Sequence, residues 1–170
     1  MQRTLSTAYL GLGSNQGDRA ANLLRAVTAL VGSDLQVSAA SSIYETEPVG
    51  DVDQPDFLNM VVAVTAPRLE PFSVLNYFLA TESRLGRQRT STRQQRTVDI
   101  DLLLLDELVV DDRRGGTDLV LPHPRLHLRR FVLAPLAEIA PHLKHPVLGE
   151  TMSHLLGAVD DSAAVRVYRG

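Results

Sequence analysis

Two aspartates separated by one residue are the part of this sequence best suited to chemistry. Asp99 and Asp101 alternate with Val98, Ile100 and Leu102, which is the two-residue period of a half-buried β-strand. Side chains at positions i and i+2 of a strand point to the same face, so the two carboxylates are predicted to project side by side, about 6.5 Å apart. Carboxylates at that separation repel each other unless a cation lies between or beside them. The spacing therefore predicts a Mg²⁺ site, because Mg²⁺ binds one or two protein carboxylates together with substrate phosphates.

Arginines are concentrated immediately before the acidic pair. Residues 85–98 contain Arg87, Arg89, Arg93 and Arg96 and no acidic residue. The segment 87–96 has no apolar anchor, so we expect a surface loop that is mobile without nucleotide and closes over it, excluding water. Taken alone, the arginines favour a solvated charged loop without a function. Beside a metal-type acid pair, however, arginines suit the oxygens of a transferring phosphoryl group, and the two features together indicate a magnesium-bound polyphosphate.

Three further features could belong to a site. Phe57 and Asn59 are predicted on one strand face, where an aromatic ring beside an amide suits a flat, hydrogen-bonding heterocycle, although Phe57 alone could be plain core. His123 lies between two prolines that fix its backbone, which hints at function; a packed or surface histidine is the alternative. Zinc is rejected because Pro124 keeps His123 and His127 off a shared helical face. The glycines of residues 11–18 fit neither common phosphate-loop pattern, so a strand-to-helix turn capped by Asn15 or Asp18 is favoured.

The composition limits the class of protein. The chain has 170 residues, 44% of them hydrophobic, which predicts a single domain over residues 1–170 with an ordinary core. The net charge of −3 gives no basic field for nucleic acid, and the lack of cysteine excludes disulfides, thiolate metal sites and a thiol nucleophile. No apolar run reaches the length of a membrane span, and residues 1–30 contain no uninterrupted apolar segment typical of a signal peptide. We therefore expect a cytoplasmic protein.

The periodicities predict elements in the order β-α-β-β-α-β. That order is typical of the ferredoxin-like α+β fold, a mostly antiparallel sheet with both helices packed on one face. A C-terminal extension is expected to add short strands within 108–121, a helix over 130–140 that contains Pro135, and a short helix near 151–158. The core elements are strands over 7–13, 35–46 and 57–65 and the acidic strand, with one helix after Asp18 that ends at Gly32 and one between Pro71 and Gly86.

Two other classes of protein share this order of elements. Nucleotidyl transferases and cyclases of the palm type also place metal carboxylates on a ferredoxin-like sheet, but they release diphosphate. RNA-binding modules of the RRM type need stacked aromatics in a basic, aromatic motif. The sequence contains no such motif, and aromatic residues make up only 5% of the chain.

Six segments in the same order resemble the 6-hydroxymethyl-7,8-dihydropterin pyrophosphokinase family. The resemblance runs from about Ala8 to Pro141. This sequence differs from the family's common pattern at Leu79, at residues 93–95 and at Pro124. The matching segments are YLGLGSN at 9–15, SIYETEPVG at 42–50, QPDFLN at 54–59, LGRQR at 85–89, RTVDID at 96–101, and LPHPR at 121–125 continuing to RRF at 129–131.

The resemblance implies an Mg-ATP-dependent diphosphotransferase of folate biosynthesis. Such an enzyme moves a diphosphate group from ATP to the hydroxymethyl group of 6-hydroxymethyl-7,8-dihydropterin and leaves AMP. It implies Mg²⁺ as the cofactor, with two ions expected, and ATP and the pterin as the partners. Neither nucleic acid nor a membrane is expected as a partner, and the protein is expected to act as a monomer.

The family's functional residues fall on matching positions of this sequence. By resemblance, Asp99 and Asp101 hold the metal and act in catalysis with Arg87 and Arg96. The residues implied for ATP binding are Glu82, Arg87, Arg89, Arg96 and His123. Those implied for pterin binding are Thr46, Val49, Phe57, Asn59, Arg129 and Phe131, with the two aromatic rings on opposite sides of the pterin.

Overall fold

Eight strands and four α-helices make up the described part of the chain. The computed structural model describes residues 5–32, 35–47, 55–86, 97–113 and 118–170. The strands are β1 (Ser6–Ser14), β2 (Gln36–Ala40), β3 (Tyr44–Thr46), β4 (Phe57–Ala66), β5 (Asp99–Leu105), β6 (Val110–Asp112), β7 (Leu119–Leu121) and β8 (Val165–Val167). The helices are α1 (Arg19–Leu30), α2 (Pro71–Arg84), α3 (Arg130–Ile139) and α4 (Met152–Ala158), with a short 3₁₀ helix at Leu126–Leu128. None of these helices combines the length and the apolar character that a membrane span needs.

Six of the strands form one antiparallel sheet. Its order is β5-β1-β4-β3-β8, and β2 also pairs with β4. β4 lies at the centre, and Val61 and Val62 on its opposite faces are both buried, so the sheet is covered on two sides. β6 and β7 form a separate two-stranded ribbon. The predicted α+β class with a mostly antiparallel sheet is confirmed.

Helices α1 and α2 pack on one face of the sheet. Leu10 and Leu12 of β1 and Ile100 of β5 meet Leu23 of α1 and Phe78 of α2 in the larger apolar cluster. Each of these side chains is at most 4% exposed, and burying one such group stabilises the fold by roughly 1.5–3 kcal/mol. The prediction that both core helices share a face is therefore confirmed.

The C-terminal elements cover part of the opposite face. Val61 of β4 and Leu103 of β5 pack there against Leu133 and Leu136 of α3 in a second apolar cluster. Cross-strand partners in an antiparallel pair share a face, and Asp101 pairs with Gly11, which in turn pairs with Val61. The acidic pair therefore lies on the same face as this second cluster, opposite α1 and α2.

Several local predictions are confirmed. The Asp18 side chain accepts a hydrogen bond from Ala21 N (3.0 Å) at the start of α1, and Pro71 is the first residue of α2. Gly86 has a φ of +87° directly after α2, a conformation that glycine adopts without strain. α3 runs through Pro135, with its start at Arg130.

One prediction about strands is wrong. Residues 35–46 form two strands, because Ser42 N donates to both carboxylate oxygens of Glu138 (3.0 and 3.1 Å) instead of to a neighbouring strand. The predicted strand over 7–13 is confirmed: Gly11 and Gly13 belong to β1, and Gly17, at φ +63°, lies in the turn that follows. The strand β8 was not predicted, since its three residues carry too short a pattern to detect.

Candidate functional site

The acidic pair stands at one edge of the sheet. Asp99 and Asp101 are half-buried, while Ile100 and Leu102 between and after them are 4% and 6% exposed on the helix-covered face. The alternation in the sequence thus corresponds to a real alternation of faces along β5. Both carboxylates project from the same side of the same strand, as the spacing predicts.

Two glycines of β1 form a floor beside the acids. Gly13 pairs with Asp99 on one side and with Asn59 on the other, and Gly11 pairs with Asp101. A Cβ at Gly13 would lie 3.0 Å from Asn59 Oδ1, which is closer than an ordinary contact. Because Gly13 has no side chain, the amide of Asn59 can lie close to β1 beside the acidic strand.

Asn59 and its neighbours form the opposite side of this floor. Asn59 is 8% exposed, and its Nδ2 donates a 2.6 Å hydrogen bond to Thr46 Oγ1. Phe57 pairs directly with Thr46, so both lie on the face that carries Asn59. The hydrogen bond fixes one end of the amide, which leaves Asn59 Oδ1 turned toward Gly13. The structure thus brings Thr46, Phe57 and Asn59 together.

The start of α3 contributes two more predicted residues. Arg129 precedes the helix and Phe131 is its second residue. The Arg129 guanidinium carbon lies 5.4 Å from the centre of the Phe131 ring, within the range of a cation–π contact. The structure thus brings Arg129 and Phe131 together at the start of α3.

His123 is tied to the acidic strand through its backbone. Its N–H donates to the carbonyl of Leu103 in β5 (2.9 Å). Burial, followed by the positive charges of Arg129 and Arg125, lowers the pKa of His123 to about 4, although Asp99 acts in the opposite direction. The ring is therefore neutral near pH 7. Its Nδ1 accepts from Arg125 N (3.2 Å), so the proton belongs on Nε2, which is a hydrogen-bond donor.

Glu82, which the resemblance implies for ATP binding, also has a structural role. It is 1% exposed, near the end of α2, and its Oε1 accepts a 2.6 Å hydrogen bond from Ile100 N. Ile100 lies between the two aspartates, so this carboxylate holds the backbone of the acidic strand against α2. Nothing in the sequence indicated this second role, because it depends on how α2 packs under β5.

Four predicted site residues lie outside the described residues. They are Arg87, Arg89 and Arg96 of the arginine segment and Val49 of the loop before Phe57. The prediction that the segment 87–96 closes over a nucleotide stays a prediction for the same reason. Its flanks are described: Ser14 Oγ donates to the carbonyl of Thr97 (2.6 Å), directly before the acidic strand.

The described residues contain no cluster of three or more histidine, cysteine or acidic side chains able to hold a metal. Among these residues, Asp99 and Asp101 supply the protein carboxylates at this edge. Two carboxylates with room for further oxygen ligands match Mg²⁺, which keeps waters and substrate phosphates in its shell. A dedicated zinc or calcium site would need more protein ligands.

Sequence reasoning missed the tie between α3 and β3. Glu138 accepts from Ser42 Oγ (2.8 Å) and from Tyr44 Oη (2.8 Å). Burial and the neighbouring Glu138 raise the pKa of Tyr44 to about 12, so the phenol keeps its proton. Glu138 and Tyr44 are 94 residues apart, and no local pattern relates them.

Comparisons with known proteins identify the family of this chain. The model of the 7,8-dihydro-6-hydroxymethylpterin-pyrophosphokinase (HPPK) family matches residues 9–141. The chain is 44% identical over 164 residues to a 2-amino-4-hydroxy-6-hydroxymethyldihydropteridine pyrophosphokinase of Methylorubrum extorquens, covering 96% of this chain and 99% of that protein. It is 40% identical to the protein of the same name from Bacillus subtilis, covering 95% of this chain and 90% of that protein.

Solved structures support the fold. The chain is similar to a Plasmodium falciparum protein described as HPPK-DHPS, with a TM-score of 0.73 and 17% identity. The similarity covers 91% of this chain and 43% of that one. At this identity the likeness concerns the fold, and the chain spans less than half of that protein.

Proposed function

The chain belongs to the 7,8-dihydro-6-hydroxymethylpterin-pyrophosphokinase family, and we propose that the open sheet face between Asp99 and Asn59 is its active site. The protein is a diphosphotransferase of folate biosynthesis, which transfers a diphosphate group from ATP to the hydroxymethyl group of 6-hydroxymethyl-7,8-dihydropterin. The transfer breaks the bond between the α- and β-phosphates of ATP, so AMP is the second product. Each part of the reaction is then assigned to particular residues.

We assign the metal to Asp99 and Asp101. Their carboxylates share one face of β5 and would hold Mg²⁺, for which we propose two ions with phosphate and water oxygens as further ligands. When bound, Mg²⁺ neutralises phosphate charge and lowers the pKa of a coordinated hydroxyl. The chain's own part is to hold both carboxylates rigidly, and the hydrogen bond from Ile100 N to Glu82 does this from the opposite face.

We assign the pterin to the far side of the glycine floor. Asn59, held by Thr46, offers its free oxygen to the donor edge of a heterocycle, while Phe57 and Phe131 supply rings for its two faces. Arg129 and Val49 complete the proposed contacts. We propose that the hydroxymethyl group points across Gly13 toward the acids, because Gly13 separates Asn59 from Asp99 on this face.

We assign the nucleotide to the side of His123. Its protonated Nε2 can donate to a phosphate oxygen without adding a positive charge. Arg87, Arg89 and Arg96 are proposed to stabilise negative charge on the phosphates as AMP leaves, and Glu82 to contribute to the ATP site. Catalysis is then a matter of positioning and electrostatics, and we assign no general base.

One observation carries this assignment: Asp99, Gly13 and Asn59 are consecutive cross-strand neighbours on one face. The acid pair and the amide therefore lie on the same face of the sheet, on either side of a strand that carries glycine between them. The protein is proposed to act as a monomer, with residues 1–170 as a single domain and the cytoplasm as its location.

The decisive experiment is an analysis of products. Protein, MgATP and 6-hydroxymethyl-7,8-dihydropterin are mixed and followed by ³¹P NMR. AMP and a diphosphorylated pterin in equal amounts are expected. Release of free diphosphate would instead favour a nucleotidyl transferase, and no pterin-dependent AMP would contradict the assignment.

A further inference from the structure

The C-terminal segment, residues 159–168, contacts two elements of the proposed pterin site, the start of α3 and the strand β3. Asp161 Oδ2 accepts a 2.8 Å hydrogen bond from Arg130 N, the first residue of α3. In return, Arg130 Nε donates to the carbonyl of Asp161 (2.9 Å), and its Nη2 donates to the carbonyl of Val159 (3.4 Å). Each side chain thus binds the other residue's backbone, and the segment is fixed to the residue directly before Phe131.

Helix α3 has no cap of its own. Arg129 at the N-cap position makes no side-chain hydrogen bond to the first turn. The first N–H groups of a helix lack partners within it, and an acidic side chain at that end is favoured by the helix dipole. Asp161, 31 residues further along the chain, supplies the missing acceptor. Its second oxygen accepts from Ala163 N (3.0 Å), so the carboxylate is itself held in place.

The same segment also pairs with the strand that carries Thr46. β8 runs antiparallel to β3, with Val165 opposite Thr46 and Val167 opposite Tyr44. Tyr168 N donates to the carbonyl of Ile43 (2.8 Å) and extends the pairing. A few residues of chain therefore connect the start of α3 to the outer side of β3.

We propose that Asp161 is a positioning residue for the pterin, which sets the start of α3, and with it Phe131, at a fixed distance from Thr46 and Phe57. The inference rests on the proposed function, because it assigns a role to a residue that does not itself touch the substrate. Two rings that enclose a planar ligand must be separated by the thickness of that ligand, so a small displacement of α3 weakens stacking. The hydrogen bonds and the strand pairing described above join this segment to α3 and β3, whereas the nucleotide side lies on β5 and His123.

The test compares Asp161→Ala with Asp160→Ala. Asp160 is the adjacent, exposed aspartate, so the control removes the same charge from the same segment. Dissociation constants are measured by calorimetry for the pterin, with Mg²⁺ and a non-hydrolysable ATP analogue present, and for that analogue alone with Mg²⁺. Because Asp161→Ala loses a helix cap, its dissociation constant for the pterin should rise about fivefold. Its dissociation constant for the nucleotide analogue should stay within about twofold of the parent value. Asp160→Ala should match the parent protein.

Further variants separate positioning from general damage. Asp161→Asn keeps one carbonyl oxygen as acceptor and should recover part of the pterin affinity. If Asp161→Ala does not fold, Arg130→Ala is measured in its place, since it keeps the cap and loses only the hydrogen bonds to two carbonyls. It should still raise the dissociation constant for the pterin and not that for the nucleotide analogue. Equal losses for pterin and nucleotide, or no difference between Asp161→Ala and Asp160→Ala, would overturn the proposal.

Phe131→Ala is measured in parallel. If it weakens pterin binding while Asp161→Ala does not, the positioning role is wrong and the site assignment survives. If Phe131→Ala leaves pterin binding intact, the assignment of Phe131 to the pterin site is wrong, and the positioning role of Asp161 is overturned with it.

Discussion

The acid edge (Asp99, Asp101 and His123) and the pterin edge (Thr46, Phe57, Asn59 and Phe131) face the same glycine floor but are built in different ways. At the acid edge, two half-exposed carboxylates owe their arrangement to neighbouring positions on one strand. At the pterin edge, a buried amide is held by the hydrogen bond that it donates to another strand, and a helix brings in an aromatic ring. The placement of the catalytic carboxylates thus depends on local geometry, whereas recognition of the planar substrate depends on contacts between residues distant in sequence.

Asp99→Ala should have the largest effect, and it should affect the acid edge without affecting the pterin edge. Removing a carboxylate that holds the proposed metal should lower kcat by about 10²–10³-fold, the scale of losing one major electrostatic element. Pterin affinity should change little, since the pterin edge keeps its contacts. Steady-state rates and calorimetry measure both quantities.

Glu107→Ala is the matched control for that variant. It removes an exposed carboxylate just after β5 and should leave the rate unchanged. Near-normal turnover of Asp99→Ala would refute the metal assignment.

Asn59→Ala should instead weaken pterin binding and leave nucleotide binding unchanged. It removes the proposed contact to the bound pterin and the hydrogen bond to Thr46, a loss of roughly 1–2 kcal/mol, so pterin affinity should fall about 5- to 30-fold. Nucleotide affinity should stay the same. Asn76→Ala makes the identical chemical change on the exposed side of α2 and serves as the control. A parallel loss of nucleotide binding would indicate damage to the fold instead of a pterin contact.

Gly13→Ala should have a smaller effect, confined to the pterin edge. The new Cβ would lie 3.0 Å from Asn59 Oδ1, so the amide must shift by a few tenths of an ångström. We expect pterin affinity to fall about fivefold, which corresponds to ~1 kcal/mol of overpacking. At Gly11 the corresponding Cβ meets Leu103 at 3.5 Å, an ordinary contact, so Gly11→Ala should be milder. Equal effects of the two variants would contradict this steric explanation.

The smallest expected effect concerns His123 and pH. Its folded pKa of about 4 lies below the ordinary histidine value of 6.5, so between these values the unfolded chain takes up a proton that the folded chain does not. The free energy of unfolding should therefore fall as pH drops from about 6.5 to 4, and be unaffected by this group above that window. His123→Gln removes this contribution and should make the decline shallower in urea unfolding at several pH values. Parallel curves for the two proteins would contradict the lowered pKa.

The acid edge could be predicted from the sequence because its information is local. An alternation over five residues is enough to place Asp99 and Asp101 on one face, and Asp18 and Pro71 mark helix starts by their own chemistry. Resemblance to a family then added residues such as Phe131, whose position on a helix across the sheet no periodicity reveals.

The remaining features needed tertiary contacts. The break between β2 and β3 depends on Glu138, about 96 residues away. Burial of Glu82 beneath Ile100 and the cap that Asp161 gives to α3 are likewise set by packing. Such long-range contacts are absent from any window of sequence, however its periodicity is measured.

The last strand also bears on how the molecule behaves in a crowded solution. An open edge at β3 would present unpaired backbone groups to other chains, a common starting point for aggregation. β8 occupies that edge with only three residues, and the exposed Arg166 and Arg169 place positive charge along it. Short length and charge discourage further strands from adding on. A chain cut before residue 160 should therefore lose solubility, quite apart from any change in its catalysis.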